Sequence, residues 1–423
     1  MNNMKDRQPF DIARLARQAS QATPQVAQLS TEQKNTLLQA MADNIRQQQK
    51  MLLNENNKDI EAGRAKGLTD AMLDRLLLTE ARIEGIASAI EDIIHLDDPV
   101  GRLGDFSERP NGIKVGKMRI PLGVIAMIYE ARPNVTAEAA ALCLKSGNGV
   151  ILRGGSEAVY SNRAIATLWH QVLADTGLET AIITIVPNTD RSVISELLKL
   201  NEDIDLVIPR GGEALIRYVT DNSRIPVIQH YKGVCHLYID EAADIEKAVA
   251  ILVNGKTQRP SACNAIETLV VHRELAGSFL PKAAEALAEF DVTIHACPKS
   301  REFFADAQLA TDDDYHAEYL AQEIAVKVVD NYEAAIEHIQ TYTSDHTEVI
   351  VTEDELRGHD FIRRINSSVV MVNASSRFSD GGELGLGSEI GISTSKLHAF
   401  GPMGLEALTT EKFVVLGDGQ VRK

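Results

Sequence analysis

Three things are scarce in this sequence: long hydrophobic runs, closely spaced cysteines and positive charge. Nowhere do about eighteen uninterrupted apolar residues occur, so we expect neither a signal segment nor a membrane span, and a cytoplasmic protein. The four cysteines have no paired close spacing, which fits free thiols in a reducing compartment and supports neither a disulfide framework nor structural zinc. The formal net charge of −17 repels phosphate backbones and anionic lipids, so we expect no nucleic acid and no membrane as partner.

The sequence also lacks the standard Gly-x-Gly-x-x-Gly dinucleotide fingerprint. Its 423 residues, 44% of them hydrophobic, are enough for two or three domains. Short apolar runs, most of them separated by helical segments, predict an α/β fold with a parallel, doubly wound sheet. These runs are Val124 to Ile128, Val150 to Leu152, Ile182 to Val186, Leu206 to Ile208 and Val227 to Ile228.

Two strand-to-helix turns in this region repeat each other. An apolar run is followed by Arg-Gly-Gly at Arg153, Gly154 and Gly155, and again at Arg210, Gly211 and Gly212. Such a turn lets backbone amides at a helix N-terminus approach an anion, and the arginine adds a fork that fits phosphate. The alternative is a pair of tight turns whose arginines are solvated.

Helices, a hairpin and a second α/β group are predicted around this region. Long helical stretches are expected from Thr31 to Asn57 and from Asp70 to His95. The glycine-rich text between Pro99 and Gly123 predicts a hairpin and a candidate oligomerisation element. The second group of helices and strands runs from Asp240 to about Val372, and an apolar strand from Phe413 to Leu416 closes the chain.

One cysteine, Cys263, is placed where a thiol can react. Helical spacing followed by Gly255 predicts that a helix ends there and releases the chain into a polar loop. A thiol beside Lys256 and Arg259 is pushed toward the thiolate, which is the nucleophilic form. The alternative is an inert cysteine that packs as a small hydrophobe.

Several motifs together resemble the aldehyde dehydrogenase superfamily, in the branch that reduces an acyl phosphate. They are Pro-Leu-Gly-Val-Ile at 121–125, Tyr-Glu-Ala-Arg-Pro-Asn at 129–134, Leu-Arg-Gly-Gly-Ser-Glu at 152–157, Gln-Arg-Pro-Ser-Ala-Cys-Asn-Ala at 258–265, and the glycine-rich tail 385–404. They occur in the order found in that superfamily and span nearly the whole chain. The implied fold has a Rossmann-type cofactor domain, an α/β catalytic domain and a small oligomerisation arm.

The resemblance implies chemical roles for two of these residues. Cys263 is the implied nucleophile, and Asn134 with the Cys263 backbone amide is implied to stabilise the oxyanion. An alternative role for Asn134 is to cap the helix that Pro133 opens. Where relatives have a glutamate that activates water, this chain has His-Tyr-Lys-Gly at 230–233, so hydrolysis of a thioester is expected to be poor.

The resemblance also implies the cofactor contacts. Arg153, with Ser156 nearby, is implied to pair with a 2′-phosphate, which favours NADPH, whereas Glu157 favours NADH. Glu318 is implied to hold the nicotinamide ribose. Its neighbour Glu323 is an alternative for that role, and so is a merely solvated Glu318. The two Arg-Gly-Gly turns are included among the candidate cofactor contacts.

The implied reaction is the reduction of L-glutamate 5-phosphate to its semialdehyde by NADPH through a cysteine thioester. Basic and hydroxyl groups are expected to bind the substrate anions, and the candidates are Arg132, Lys256, Arg259, Ser388 and Lys396. His230 and His236 have no plausible set of further ligands, so no metal is expected. Another aldehyde dehydrogenase, a thiol hydrolase and an acidic scaffold without catalysis stay open as alternatives.

The implied domains can be given by residue number. The cofactor domain comprises 1–100 and 120–233 with part of 376–405, the catalytic domain 234–375, and the oligomerisation arm 101–119 and 406–423. A homo-oligomer, dimer or tetramer, is expected. Association with glutamate 5-kinase is a further hypothesis, because an acyl phosphate is labile.

Overall fold

The computed structural model describes residues 10–422, apart from the side chain of Ala71. The first nine residues of the predicted cofactor domain and the last residue of the predicted arm therefore lie outside the described residues. The α-helices are α1 (Ile12–Ala27), α2 (Thr31–Gln47), α3 (Gln49–Ala65), α4 (Asp70–Leu76), α5 (Glu80–His95), α6 (Pro133–Lys145), α7 (Val159–Asp175), α8 (Arg191–Leu197), α9 (Glu213–Asn222), α10 (Ile245–Thr257), α11 (Arg273–Ala288), α12 (Asp312–Tyr315), α13 (Tyr332–Tyr342) and α14 (Glu355–Arg364).

The β-strands alternate with these helices over much of the chain. They are β1 (Ser107–Glu108), β2 (Lys114–Pro121), β3 (Val124–Tyr129), β4 (Gly149–Gly154), β5 (Ile183–Ile185), β6 (Leu206–Arg210), β7 (Cys235–Ile239), β8 (Ile266–His272), β9 (Thr293–Ala296), β10 (Gln308–Leu309), β11 (Glu323–Val329), β12 (Thr347–Val351), β13 (Val369–Val372), β14 (Gly391–Ser393), β15 (Gly401–Met403) and β16 (Thr409–Leu416). The chain divides into two compact units.

The first unit contains the described residues up to Gln229, with Leu386–Gly391 and the chain from Met403 onward. Its parallel sheet has the strand order β5-β4-β3-β6. The chain moves outward from β3 to β5 and then returns to the other side of β3, so a topological switch point lies between β3 and β6. In open α/β sheets, ligands bind at the carboxyl ends of the strands at such a point.

The core of this unit explains why α1 packs on the sheet. Ile12, Ala16 and Ala19 recur at helical spacing and are buried against the strand residues Val124 and Ala126. The side chain of Asp11 accepts a hydrogen bond from the backbone of Arg14 and caps the helix.

A second sheet of this unit is antiparallel and has the order β1-β2-β16. The predicted hairpin and closing strand therefore form one element, with β16 at the edge of the sheet. Large apolar side chains on β16 are exposed, namely Phe413 at 72%, Val415 at 55% and Leu416 at 54%. Such an edge is a surface that a further strand can pair with.

The second unit contains His230–Gly385 and Ile392–Pro402. Its sheet has seven parallel strands in the order β10-β9-β11-β8-β7-β12-β13, and nearly every side chain of the central strands is buried. Buried central strands of this kind are typical of parallel sheets that helices cover on both faces. The short strands β14 and β15 pair with each other.

Some element predictions were wrong in detail. The stretch from Thr31 to Asn57 is two helices, because the chain turns at Gln48, which is the C-cap of α2. Val227 makes only an isolated bridge with Val207, so the run Val227 to Ile228 is not a strand. The helix before the cysteine segment continues through Gly255 to Thr257. The apolar runs at 124–128, 150–152, 182–186 and 206–208 are confirmed as strands within two residues at each end, whereas β16 begins at Thr409, four residues before the predicted start at Phe413.

Candidate active site

Cys263 lies in the loop that connects α10 to β8, at the amino edge of the seven-stranded sheet. The loop is a series of tight turns, in which the Ala262 amide donates to the Arg259 carbonyl and the Ala265 amide to the Ala262 carbonyl, each at 3.0 Å. Cys263 is half-buried, whereas the other three cysteines are buried. It is therefore the most accessible of the four thiols, as the sequence predicted.

The backbone of Cys263 packs directly against Gly233. A Cβ atom at Gly233 would lie 2.0 Å from the Cys263 carbonyl oxygen, so only glycine fits at this position. The Cys235 thiol donates to the same carbonyl at 3.3 Å and lies 3.7 Å from Nδ1 of His346. Burial raises the pKa of Cys235 well above its usual range and lowers that of His346 to about 3. Cys235 is therefore held as a neutral thiol.

Glu318 is fixed beside this segment. Its Oε1 accepts a hydrogen bond of 2.8 Å from the Gly233 amide, and Gly233 packs on Cys263. Glu323, the alternative from the sequence, lies at the start of β11 and bonds Nε2 of His295 at 2.6 Å. The structure thus brings Glu318 rather than Glu323 next to the cysteine segment, while its contact with a cofactor stays a prediction.

Lys256 is buried in the interior, contrary to the sequence interpretation that it is available to bind a substrate anion. It lies in the last turn of α10 rather than in the loop, is fully buried, and pairs with Glu267 at 2.6 Å. Burial raises the pKa of Glu267 to about 7 and lowers that of Lys256. The other oxygen of Glu267 accepts from the Leu320 amide at 3.2 Å. Leu320 has a left-handed φ of 53°, so the buried pair anchors the turn that carries Glu318.

Arg377 was missed by the sequence analysis and lies across the cysteine loop. It belongs to a short 3-10 turn after β13 and donates from Nε to Gln258 at 2.9 Å and from Nη1 to the side chain of Asn264. Arg259, a predicted substrate contact, is exposed in the same loop. The available signal was a cluster of small polar residues containing one arginine after an apolar strand, the same kind of signal as Arg-Gly-Gly.

In the first unit, Arg153 is turned inward. Its guanidinium is buried and donates to the backbone carbonyls of Gly154, Thr189 and Asp190. Burial lowers its pKa, and the nearby carboxylates of Glu157 and other acids oppose that shift. To pair with a 2′-phosphate, this arginine would have to exchange carbonyl bonds for phosphate bonds. Its contact with a cofactor stays a prediction.

The second Arg-Gly-Gly turn lies at the switch point of the sheet. Arg210 ends β6 opposite Tyr129 of β3, and Gly212 is the N-cap of α9. The Gly212 amide donates to the carboxylate of Glu130 at 3.1 Å, and a Cβ at Gly211 would lie 2.6 Å from the same carboxylate. Arg210 is also 4.0 Å from Glu389. The predicted cation and the two glycines thus lie beside the carboxylates of Glu130 and Glu389. These carboxylates would have to move before an anion could bind at the turn.

This edge of the sheet has features that fit a nucleotide. Nε of Arg153 is buried and has no hydrogen-bond partner among the residues described, and a Cβ at Gly212 would meet open space. Gly155 follows β4 and Ser156 is exposed beside it, both at the carboxyl edge. These observations fit a dinucleotide at the switch point.

Asn134 lies in the first turn of α6, directly after Pro133 at the start of the helix. It does not cap the helix, because the N-cap is Arg132 and no side-chain cap bond is made there. Nδ2 of Asn134 instead donates to Glu138 one turn later, at 3.1 Å. Burial raises the pKa of Glu138, while Asn134 and Arg210 lower it. One N–H of the Asn134 amide is therefore engaged, and the amide has a defined orientation.

The remaining predicted substrate contacts are dispersed. Arg132 is exposed before α6, and half-buried Ser388 belongs to the separate segment Leu386–Gly391 of the first unit. Lys396 is exposed between β14 and β15 in the second unit, with Nζ 5.3 Å from the ring centroid of Phe400. Arg132 and Ser388 thus belong to the first unit, whereas Lys396 belongs to the second unit, as Cys263 does. The roles of all three residues stay predictions.

The two histidines considered for a metal are engaged otherwise. His236 is buried in β7 and pairs through Nδ1 with Glu348 at 2.9 Å, while His230 stacks edge-on with His346 at 6.0 Å between ring centroids. In the part of the chain that the structure describes, no group of three or more histidine, cysteine or acidic side chains could hold a metal ion. Within residues 10–422, no helix is long and apolar enough to cross a membrane.

Comparison with known proteins gives the class of this enzyme. The model of the aldehyde dehydrogenase family matches residues 1–301. The gamma-glutamyl phosphate reductase of Colwellia psychrerythraea is 65% identical over 98% of this chain and 99% of its own length, and that of Idiomarina loihiensis 62% over 96% and 98%. A crystal structure of gamma-glutamyl phosphate reductase from Thermotoga maritima has a TM-score of 0.96 and 43% identity, covering 98% of this chain and 100% of that one.

The chain therefore belongs to the aldehyde dehydrogenase family of oxidoreductases and, within that family, to the gamma-glutamyl phosphate reductases of proline biosynthesis. The predicted family, fold class and enzyme class are confirmed. Membership of this family also supports the use of a nicotinamide cofactor.

Proposed function

We propose that this chain reduces L-glutamate 5-phosphate to L-glutamate 5-semialdehyde and phosphate, with NADPH as the reductant and Cys263 as the nucleophile. The observation that carries the proposal is the identity of 65% to a gamma-glutamyl phosphate reductase over nearly the full length of both chains. The half-buried Cys263 loop supplies a nucleophile for that chemistry.

The covalent steps balance on the cysteine. The Cys263 thiolate forms a bond to the acyl carbon, the carbon–oxygen bond to phosphate breaks, and its electron pair leaves with the phosphate. Bound NADPH supplies the hydride. The resulting thiohemiacetal releases the aldehyde and regenerates the thiolate. Because His-Tyr-Lys-Gly at 230–233 contains no carboxylate, water is a poor competitor for the thioester.

The residues that would hold the cofactor are those of the two Arg-Gly-Gly turns, with Ser156 and Glu318. Amides at the start of α9 favour a pyrophosphate, and the buried Nε of Arg153 lies at the carboxyl edge of the same sheet. The preference for NADPH rests on the charge of Arg153 and on the hydroxyl of Ser156 beside it, which together suit a 2′-phosphate.

The test is the reverse reaction, with glutamate semialdehyde, phosphate and either NADP⁺ or NAD⁺. We expect nicotinamide reduction only when phosphate is present, because phosphate must release the acyl group from the thioester. We also expect a higher kcat/KM for NADP⁺ than for NAD⁺. Absorbance at the nicotinamide band measures both. Reduction without phosphate would identify a hydrolytic aldehyde dehydrogenase, and a preference for NAD⁺ would refute the cofactor assignment alone.

Asn134 is proposed as a donor to the oxyanion, together with the Cys263 amide. Asn134→Ala is expected to lower kcat by about 10²–10³-fold, the usual cost of one such donor, with little change in the KM for phosphate. Asn222→Ala, exposed at the end of α9, is the matched control and should leave kcat unchanged. Steady-state rates of the two variants decide; equal rates would exclude Asn134 from the reacting site.

The oligomerisation arm is proposed to join two copies of the chain. Edge strand β16 exposes Phe413, Val415 and Leu416, and burying these side chains against another copy would remove apolar surface from water. A homo-oligomer is supported by that surface. Association with glutamate 5-kinase is proposed because the acyl phosphate is labile, and a cytoplasmic location is proposed from the composition of the chain.

A further inference from the structure

Arg377 is built into the cysteine loop rather than placed on the surface. Its hydrogen bonds join Gln258, which ends α10, and Asn264, which follows Cys263. The guanidinium therefore spans the segment that carries the thiol. These bonds use Nε and Nη1, and a guanidinium has more N–H donors than these two contacts require.

The turn that carries Arg377 is fastened to the same segment. Ser375 accepts a hydrogen bond from the Arg377 amide at 3.3 Å and donates to the Asn254 side chain at 2.6 Å. The fully buried Ser376 hydroxyl donates to the backbone carbonyl of Asn264 at 2.6 Å, and Nδ2 of the Asn264 side chain donates to the Ser379 carbonyl at 2.9 Å. Such a buried network fixes the guanidinium in place before any ligand binds.

A second cation and the thiol act on this guanidinium. Burial lowers the pKa of Arg377, the charge of Arg259 lowers it further, and the charges of Asp380 and of the Cys263 thiolate oppose the shift. Arg259 directly follows Gln258, which Arg377 bonds, so two arginines lie in the segment that carries Cys263, in a chain whose net charge is −17. An anion placed between them would relieve their repulsion.

We propose that Arg377 and Arg259 form a subsite for the phosphate that leaves when Cys263 attacks the acyl carbon. This inference rests on the proposed function. Phosphate is bonded to the reacting carbon itself, whereas the substrate α-carboxylate lies several bonds away. We therefore assign the guanidinium of Arg377, which bonds Asn264 next to Cys263, to the phosphate rather than to the α-carboxylate. As the carbon–oxygen bond breaks, negative charge accumulates on the phosphate, and a guanidinium fork stabilises it.

The kinetic test uses Arg377→Lys and Arg377→Met in the reverse reaction. We expect the KM for phosphate to rise about 10- to 100-fold in Arg377→Met, less in Arg377→Lys, and the KM for the semialdehyde to change less than about twofold, because one charged hydrogen-bond donor is lost. Arg363→Met, whose side chain is 78% exposed in the same unit, is the matched control and should change neither constant. A higher KM for the semialdehyde alone would place the α-carboxylate here and overturn the proposal.

A second measurement needs no turnover. Phosphate should slow the alkylation of Cys263 by iodoacetamide in the unmodified chain, and this protection should be lost in Arg377→Met, with intact mass reporting the labelled thiol. Protection that persists in Arg377→Met, or a variant whose kcat alone falls, would mean that Arg377 only holds the loop and would refute the subsite. Protection by phosphate in a chain that does not oxidise the semialdehyde would refute the proposed function while supporting the subsite.

Discussion

Replacement of Cys263 by alanine is expected to lower kcat by about 10⁴-fold or more, because the covalent route through the thioester disappears. The other thiols cannot substitute for it. Cys143 and Cys235 are buried, and burial raises the pKa of each thiol well above its usual range, so neither supplies thiolate near neutral pH. The reverse reaction with phosphate and NADP⁺ measures the loss.

Cys297→Ala is the matched control for this prediction. Cys297 is buried after β9, away from the loop of Cys263. Its replacement by alanine should leave kcat within about twofold of that of the unmodified chain. Iodoacetamide should label one thiol rapidly in the unmodified chain and in the control, and none in Cys263→Ala. Activity of Cys263→Ala within tenfold of the unmodified chain would show that hydride transfer does not pass through this cysteine.

The sequence was sufficient to predict the strand-to-helix turns and the position of Cys263 in a loop, because both depend on local patterns. Arg-Gly-Gly follows β4 and β6 as predicted, and both turns lie at the carboxyl edge of one parallel sheet. The direction of an arginine side chain is not local. Arg153 turns inward because carbonyls from the loop at Thr189 are brought to it by the fold, and no pattern within the turn reports that.

The environment of Lys256 shows the same limit. In the sequence it is a cation beside Cys263, and the prediction that it meets a substrate followed from that proximity. In the structure Glu267 enters from β8 and pairs with it in the interior. Arg377 illustrates the converse, because it lies more than a hundred residues from Cys263 in sequence and yet bonds the adjacent Asn264. Tertiary contacts therefore decide which cations lie beside the cysteine loop.

Lys256→Met is expected to destabilise the second unit by about 3–5 kcal/mol at pH 8.5, because it leaves the carboxylate of Glu267 buried without its partner. The matched control is Lys247→Met on the same helix α10. Its ion pair with Glu353 is about half exposed and surrounded by water, so the expected cost is far smaller than that of Lys256→Met. Urea unfolding followed by circular dichroism measures both.

The pH dependence distinguishes a buried charge from lost packing. The folded-state pKa of Glu267 is raised from 4.5 to about 7, so the stability that its protonated form contributes is present below pH 4.5 and lost as pH rises through 7. Lys256 lowers this pKa, so Lys256→Met should raise it further and keep the carboxyl protonated to higher pH. The penalty should therefore be smaller at pH 5.5 than at pH 8.5. The double variant Lys256→Met with Glu267→Gln should recover most of the loss at pH 8.5, since no charge is left to bury. A penalty that is the same at both pH values, or no larger than that of Lys247→Met, would show that the pair carries no buried charge.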